Sequence, residues 1–132
     1  MTLLHAFALV ALYYAAMYAY SAWGHAVGSA KVIAWGVHFS PHLASMNLTP
    51  KQIAMRSAGV GALALVTGIS LWLQTWLGIA LGLYIGGYQV FLTWTFYRKT
   101  GQLGQTDALL RATYNPAMVG ALVCEVLDRM GW

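Results

Sequence analysis

The chain has 132 residues, of which 60% are hydrophobic and 8% charged, with a net charge of +4 and a mean hydropathy of +0.63. A soluble domain carries about 25% charged residues, so this composition excludes a surface built to face water. The basic residues flank apolar runs and form no cluster of their own, which speaks against nucleic acid and for anionic lipid head groups.

At this length the chain is one domain, and spanning helices of about 20 apolar residues leave room for four. A single cysteine, Cys124, excludes an internal disulfide and a cysteine-based metal site. The first apolar run has no basic leader and further apolar runs follow it, so a removable signal peptide is not expected.

The first predicted span covers 2–23. It holds no charged side chain, and Ala8, Ala11, Ala15, Ala19 and Ala22 recur at three and four residues to make one lean face. Trp23 closes it at an interface. Within the segment 26–40, the run Ala30 to Phe39 is apolar but short, carries Lys31 and is bounded by Gly28 and Pro41. It is too short to cross about 30 Å of hydrocarbon at 1.5 Å per residue, so an interfacial or re-entrant helix is expected.

The second span, 51–73, has Thr49 as N-cap and Pro50 at its first position. Lys51 and Arg56 are placed to snorkel to head groups, and Ser57, Gly61, Ala64 and Gly68 form a small-residue stripe. Gln74 and Thr75 make a turn so short that spans two and three must be an antiparallel hairpin. The third span, 76–97, is uncharged. Gly78, Gly82 and Gly86 recur every four residues and give it a face almost without side chains, suited to close helix approach. Asp107 is the expected cap of the fourth helix, whose membrane part is predicted at 112–130 with Pro116 near its start.

The expected fold is therefore all-α, an integral membrane antiparallel four-helix bundle with a short helix between spans one and two. Six of the seven Lys and Arg residues lie after spans one and three: Lys31, Lys51, Arg56, Arg98, Lys99 and Arg111. The other side has only Arg129. That bias places connections 24–50 and 98–111 in the cytoplasm and both termini outside. A bacterial inner membrane is the expected location, with periplasmic termini.

Polar groups within lipid are costly and tend to face a bundle interior. Towards the outer end these are His5 and Glu125, which suggest either an acid–base pair or groups reaching head groups and water. Towards the inner end lie Arg56, Gln89, Arg111, Tyr114 and Asn115. Arginine forks suit phosphate or carboxylate, so this set is the candidate site for an anionic or amphipathic molecule; ordinary positive-inside arginines are the plainer reading. Tyr13 and Tyr14 fall near mid-bilayer and need hydroxyl partners, for which Gln89 is one candidate. The aromatic residues could line an apolar pocket for a quinone, sterol, pigment or acyl chain.

His38 and His42 are four apart, but Pro41 between them breaks a regular helix, and His25 is far off. No metal site is expected, no cofactor is indicated, and no catalytic signature occurs. The leading expectation is a non-enzymatic protein acting through helix packing at Gly61, Gly68, Gly78, Gly82 and Gly86, as a homo-oligomer or an accessory subunit of a larger membrane complex. The alternatives are a binder or transporter of a small anionic or amphipathic molecule, and a small membrane enzyme using the His5 and Glu125 pair.

Overall fold

The computed structural model describes residues 2–39, 47–101 and 106–132, and their side chains except at 37–39 and 106–111. These residues form five helices and no strand: α1 (Leu3–Ala26), α2 (Ala30–Phe39), α3 (Pro50–Trp72), α4 (Trp76–Thr100) and α5 (Thr106–Arg129). Among the described residues α1, α3 and α4 are long and apolar enough to cross a membrane. Those three helices mark the chain as a membrane protein. The fourth long helix, α5, differs in composition, because it carries Asp107, Arg111, Glu125, Asp128 and Arg129.

Local chemistry sets most helix ends. At α3, Thr49 Oγ1 accepts the Gln52 amide N–H at 3.3 Å and Gln52 Oε1 accepts the Thr49 N–H at 3.0 Å. This reciprocal cap satisfies two donors that helix geometry leaves free, and Pro50 has no N–H to lose. The α3–α4 turn is as tight as expected. Gln74 takes a left-handed φ of 56°, and the Gln74 and Thr75 N–H groups donate to the Leu71 and Ser70 carbonyls at 3.0 and 3.1 Å. These paired bonds close the end of α3 as α4 begins. Thr75 Oγ1 donates to Ser70 O at 3.0 Å and accepts the Gly78 N–H at 3.2 Å, so one side chain ends α3 and caps α4.

Other boundaries differ from expectation. The first helix runs to Ala26, past Trp23, and ends at Gly28 with φ 73°, where the Ser29 N–H donates to Gly24 O at 2.8 Å. Helix α5 starts at Thr106, so Asp107 lies inside the first turn and not ahead of it as an N-cap. Helix α2 has ten residues, about 15 Å of rise at 1.5 Å each, half of what a crossing needs. It folds back on α1: Val32 packs on Gly24, and the rings of Tyr20 and Trp35 meet at 5.7 Å.

The long helices pack antiparallel in the order α1, α3, α4, α5, with the most extensive contact between α1 and α3. Both of those helices present small side chains at heptad spacing. Gly68 faces Leu12 and the Ala8 carbonyl, Gly61 faces Tyr18 and the Ala15 carbonyl, and Ser57 faces Ser21. The glycine face of α4 is spent in the same way within the chain. Gly78 sits on the Ser70–Leu71 backbone, Gly82 on Leu122, and Gly86 on Met118 and Val119. The core consists of Leu4, Phe7, Ala8, Leu71, Ile79, Met118 and Leu122. Large apolar side chains such as Leu9, Leu65, Ile69, Tyr84, Phe91 and Trp94 point outward, whereas Ser21, His25, Ser57, Thr67, Ser70 and Asn115 are buried. Small and polar inside with large and apolar outside is the pattern expected when lipid, not water, surrounds the fold.

Candidate functional site

Halfway along the long helices, side chains from α1, α3, α4 and α5 line a partly open cavity of about 60 Å³. Its apolar walls include Val10, Val60, Leu71, Ile85 and Met118. Its polar groups are Tyr14 and Tyr18 from α1, Thr67 from α3, Gln89 from α4, and Tyr114 and Asn115 from α5. Gly82 belongs to the same wall; its missing side chain lets Leu122 approach from α5.

These polar groups are not equally available. Thr67 Oγ1 donates to Leu63 O at 2.7 Å, four residues back along its own helix, so its proton is used. The Tyr114 hydroxyl donates to Met118 Sδ at 3.7 Å. A thioether is a weak acceptor, and a carbonyl oxygen brought into the cavity would compete for that proton. Asn115 is buried, and among the described residues neither its carboxamide nor that of Gln89 has a hydrogen-bond partner. A carboxamide offers two donors and an acceptor, and since no fully buried side-chain nitrogen or oxygen among the described residues lacks a partner, these amides open onto the cavity. Pro116 follows directly. It has no N–H, so the Ala112 carbonyl loses its in-helix donor one turn earlier.

Three residues of the expected inner set, Gln89, Tyr114 and Asn115, therefore meet in one cavity. Arg56 is exposed and does not line it. The Arg111 side chain lies outside the described residues, as do His38 and His42. Tyr14 shares the cavity with Gln89, whereas Tyr13 is exposed and packs edge-on against Tyr14 at 5.9 Å. Tyr18 and Thr67 were not singled out by the sequence. Tyr18 is one of four tyrosines in α1, and only the packing of α1 on α3 selects it.

His5, near the start of α1, and Glu125, near the end of α5, have separate partners. His5 is the third residue of α1, where backbone N–H groups are unpaired, and its Nδ1 accepts the Thr2 N–H at 3.0 Å. Its ring meets Trp72 edge-on at 4.5 Å. Glu125 takes Arg129 Nε at 2.8 Å across one helical turn. Arg129 also donates to Gln74 O at 2.9 Å and lies 5.2 Å from the Trp76 ring, tying the end of α5 to the α3–α4 turn.

A second buried polar cluster lies near the end of α1. His25 Nδ1 donates to Ser21 O at 2.8 Å, and Ser21 Oγ lies 3.3 Å from Ser57 Oγ. Sequence spacing did not mark His25, because its burial depends on α2 folding back to set Gly36 against its ring.

The class defined is a small all-helical membrane protein with a polar-lined cavity between its helices. Comparison with protein-family models, curated proteins and solved structures finds no match.

Proposed function

We propose that this chain is a non-enzymatic integral membrane protein that binds a small uncharged amphipathic molecule between its helices. The observation that carries the reading is the convergence of the Gln89 and Asn115 carboxamides and the Tyr114 hydroxyl on one cavity with otherwise apolar walls. Such a lining suits a ligand with carbonyl oxygens on an apolar body, such as a quinone. The carbonyl edge faces the amides and the phenol, which donate to it, and the apolar body lies along the apolar walls. The described lining holds no charged side chain, which favours a neutral ligand over an anion.

In this reading α5 is a fourth span. Gly82 meets Leu122, Gly86 meets Met118, and Trp76 meets Arg129, so residues 112–129 of α5 run beside α4 at matching depth. If α4 crosses the lipid, α5 crosses with it, and its charges fall at the two ends. With four crossings, the basic residues on or just after connections 24–50 and 98–111 favour those loops in the cytoplasm against anionic lipids, and both termini periplasmic in a bacterial inner membrane.

The test is titration of purified protein in mild detergent with a short-chain benzoquinone, followed by quenching of the aromatic fluorescence. Gln89→Leu and Asn115→Leu each remove donors and should weaken binding at least tenfold, about 1.4 kcal/mol. Arg56→Ala should bind like the parent. If the parent shows no saturable quenching, or both amide variants match it, the reading fails.

A further inference from the structure

Helix α4 has a second face, opposite its glycines, that none of the described residues covers. Leu77, Ala80, Tyr84, Gly87, Phe91 and Trp94 are all exposed, and their spacing of three and four repeats every seven residues. This is the seam spacing of two helices that wind around each other. Small residues stand at the alternate positions Ala80 and Gly87, and a Cβ built on Gly87 meets nothing within 4 Å.

Two hydroxyls on this face are out of place in lipid. Tyr84 and Tyr88 lie about 12 and 18 Å along a helix that begins at Trp76. They therefore straddle the middle of a hydrocarbon layer about 30 Å thick. Their rings stack, with centroids 6.5 Å apart and planes at 4°. Among the described residues neither hydroxyl has a hydrogen-bond partner, and acyl chains supply none. Interfacial anchoring, the usual role of membrane tyrosines, does not apply at this depth.

We infer that this face of α4 is the seam of a homodimer, packed against α4 of a second copy about a two-fold axis normal to the membrane. Copies inserted with one orientation meet with their α4 helices parallel, which a seven-residue seam fits. Tyr84, Gly87 and Phe91 of one copy then face the same residues of the other, and the gap over Gly87 receives the flanking rings. Across the axis each tyrosine hydroxyl has a hydroxyl of the second copy within its plane of contact, one donating and one accepting. The area is adequate. At about 200 Å² for a whole aromatic side chain, exposures of 66% for Tyr84, 52% for Tyr88, 61% for Phe91 and 57% for Trp94 amount to roughly 470 Å². With Leu77 and Ala80 the two copies together cover roughly 1,200 Å², the lower edge of specific interfaces.

The test is oxidative cross-linking of the full chain in native membranes, in a Cys124→Ser background. Ala80→Cys and Gly87→Cys should each give a disulfide-linked species of twice the chain mass with copper-phenanthroline, and Leu65→Cys on the outer face of α3 should not. Tyr84→Phe with Tyr88→Phe removes only the hydroxyls and should lower dimer affinity in detergent roughly tenfold, with unchanged far-UV circular dichroism. Benzoquinone titration of that double variant should match the parent, which separates failure of the seam from failure of the cavity. Equal cross-linking at positions 65, 80 and 87, no cross-link at 80 and 87, or a product joined to a different protein would overturn the proposal.

Discussion

Gly78 is the closest approach between α3 and α4, and replacing it with alanine isolates what that approach is worth. A Cβ built there lies 2.5 Å from Leu71 N and Ser70 C and 2.7 Å from Ser70 O, against 3.4–4 Å for ordinary contact. The obstacles are backbone atoms in the last turn of α3, so no rotamer change relieves them. The helices must separate by roughly 1 Å, and that loosens Leu71 and Ile79, both fully buried. Overpacking of this kind costs about 1–3 kcal/mol, and contact with backbone puts it at the upper end. Alanine in place of glycine in a helix returns about 0.4–1 kcal/mol. The expected net effect of Gly78→Ala is a loss of about 2 kcal/mol. Gly59 of α3 and Gly120 of α5 are helical too, and a Cβ at either meets nothing within 4 Å. Gly59→Ala and Gly120→Ala should therefore be neutral or stabilising by up to about 1 kcal/mol. The assay is reversible unfolding in mixed micelles, titrated with dodecyl sulfate and followed by far-UV circular dichroism. If Gly78→Ala proves as stable as the Gly59 and Gly120 variants, α3 and α4 do not meet as described.

Gln74→Gly should raise stability by about 0.5–1 kcal/mol in the same assay, because a left-handed φ strains any residue with a Cβ. The Gln74 carbonyl that accepts from Arg129 is kept in that variant. Gly24→Ala drives a methyl into the Val32 Cβ and both its methyls; the expected loss should be largely recovered in the double variant with Val32→Gly, which alone removes all three atoms, whereas additive losses would show that α2 does not pack there. Glu125→Gln should change stability by less than about 1 kcal/mol, as for partly exposed ion pairs, and a larger effect would assign Glu125 a role beyond Arg129. In a Cys124→Ser background, Gln74→Cys should react with an impermeant maleimide in intact spheroplasts and Thr100→Cys only after lysis; the reverse pattern would refute the orientation.

Features governed by near neighbours in the chain were legible in the sequence. Thr49 and Pro50 announced the start of α3, and the two residues between Trp72 and Trp76 dictated the hairpin, because caps and tight turns are decided within four or five residues. Gln89, Tyr114 and Asn115 were legible as deep polar groups, since few such residues interrupt the apolar runs. Their convergence was only partly foreseen. Arg56 was grouped with them by depth alone, but a helix has faces as well as levels, and Arg56 points away. His5 and Glu125 were paired by the same reasoning. Closer partners took both: the free N–H of Thr2 and the guanidinium of Arg129 one turn away. His25 was hidden because what buries it is a reversal of the chain at Gly28, whose direction no periodicity reports.

The glycines of α4 show how far a pattern reaches. Gly78, Gly82 and Gly86 name a face that another backbone can approach, and they do not name whose backbone it is. An interface between copies and an interface within the chain predict the same spacing. The structure spends that face on α3 and α5, which removes the glycine stripe as a reason to expect an oligomer. It also gives the cavity its shape. The bare face draws Leu122 and Met118 close, and Tyr114 and Asn115, nearer the start of α5, border with Ile85 and Gln89 a space they do not fill. The gap lined by amides thus opens beside the close Gly82 and Met118 contacts, where the glycine repeat gives way after Gly86 to Gln89. Filling that gap from α4 with an apolar side chain of similar size, as in Gln89→Leu, should leave the Gly78 and Gly82 contacts intact. The variant should unfold at the same dodecyl sulfate fraction as the parent and lose only the ligand.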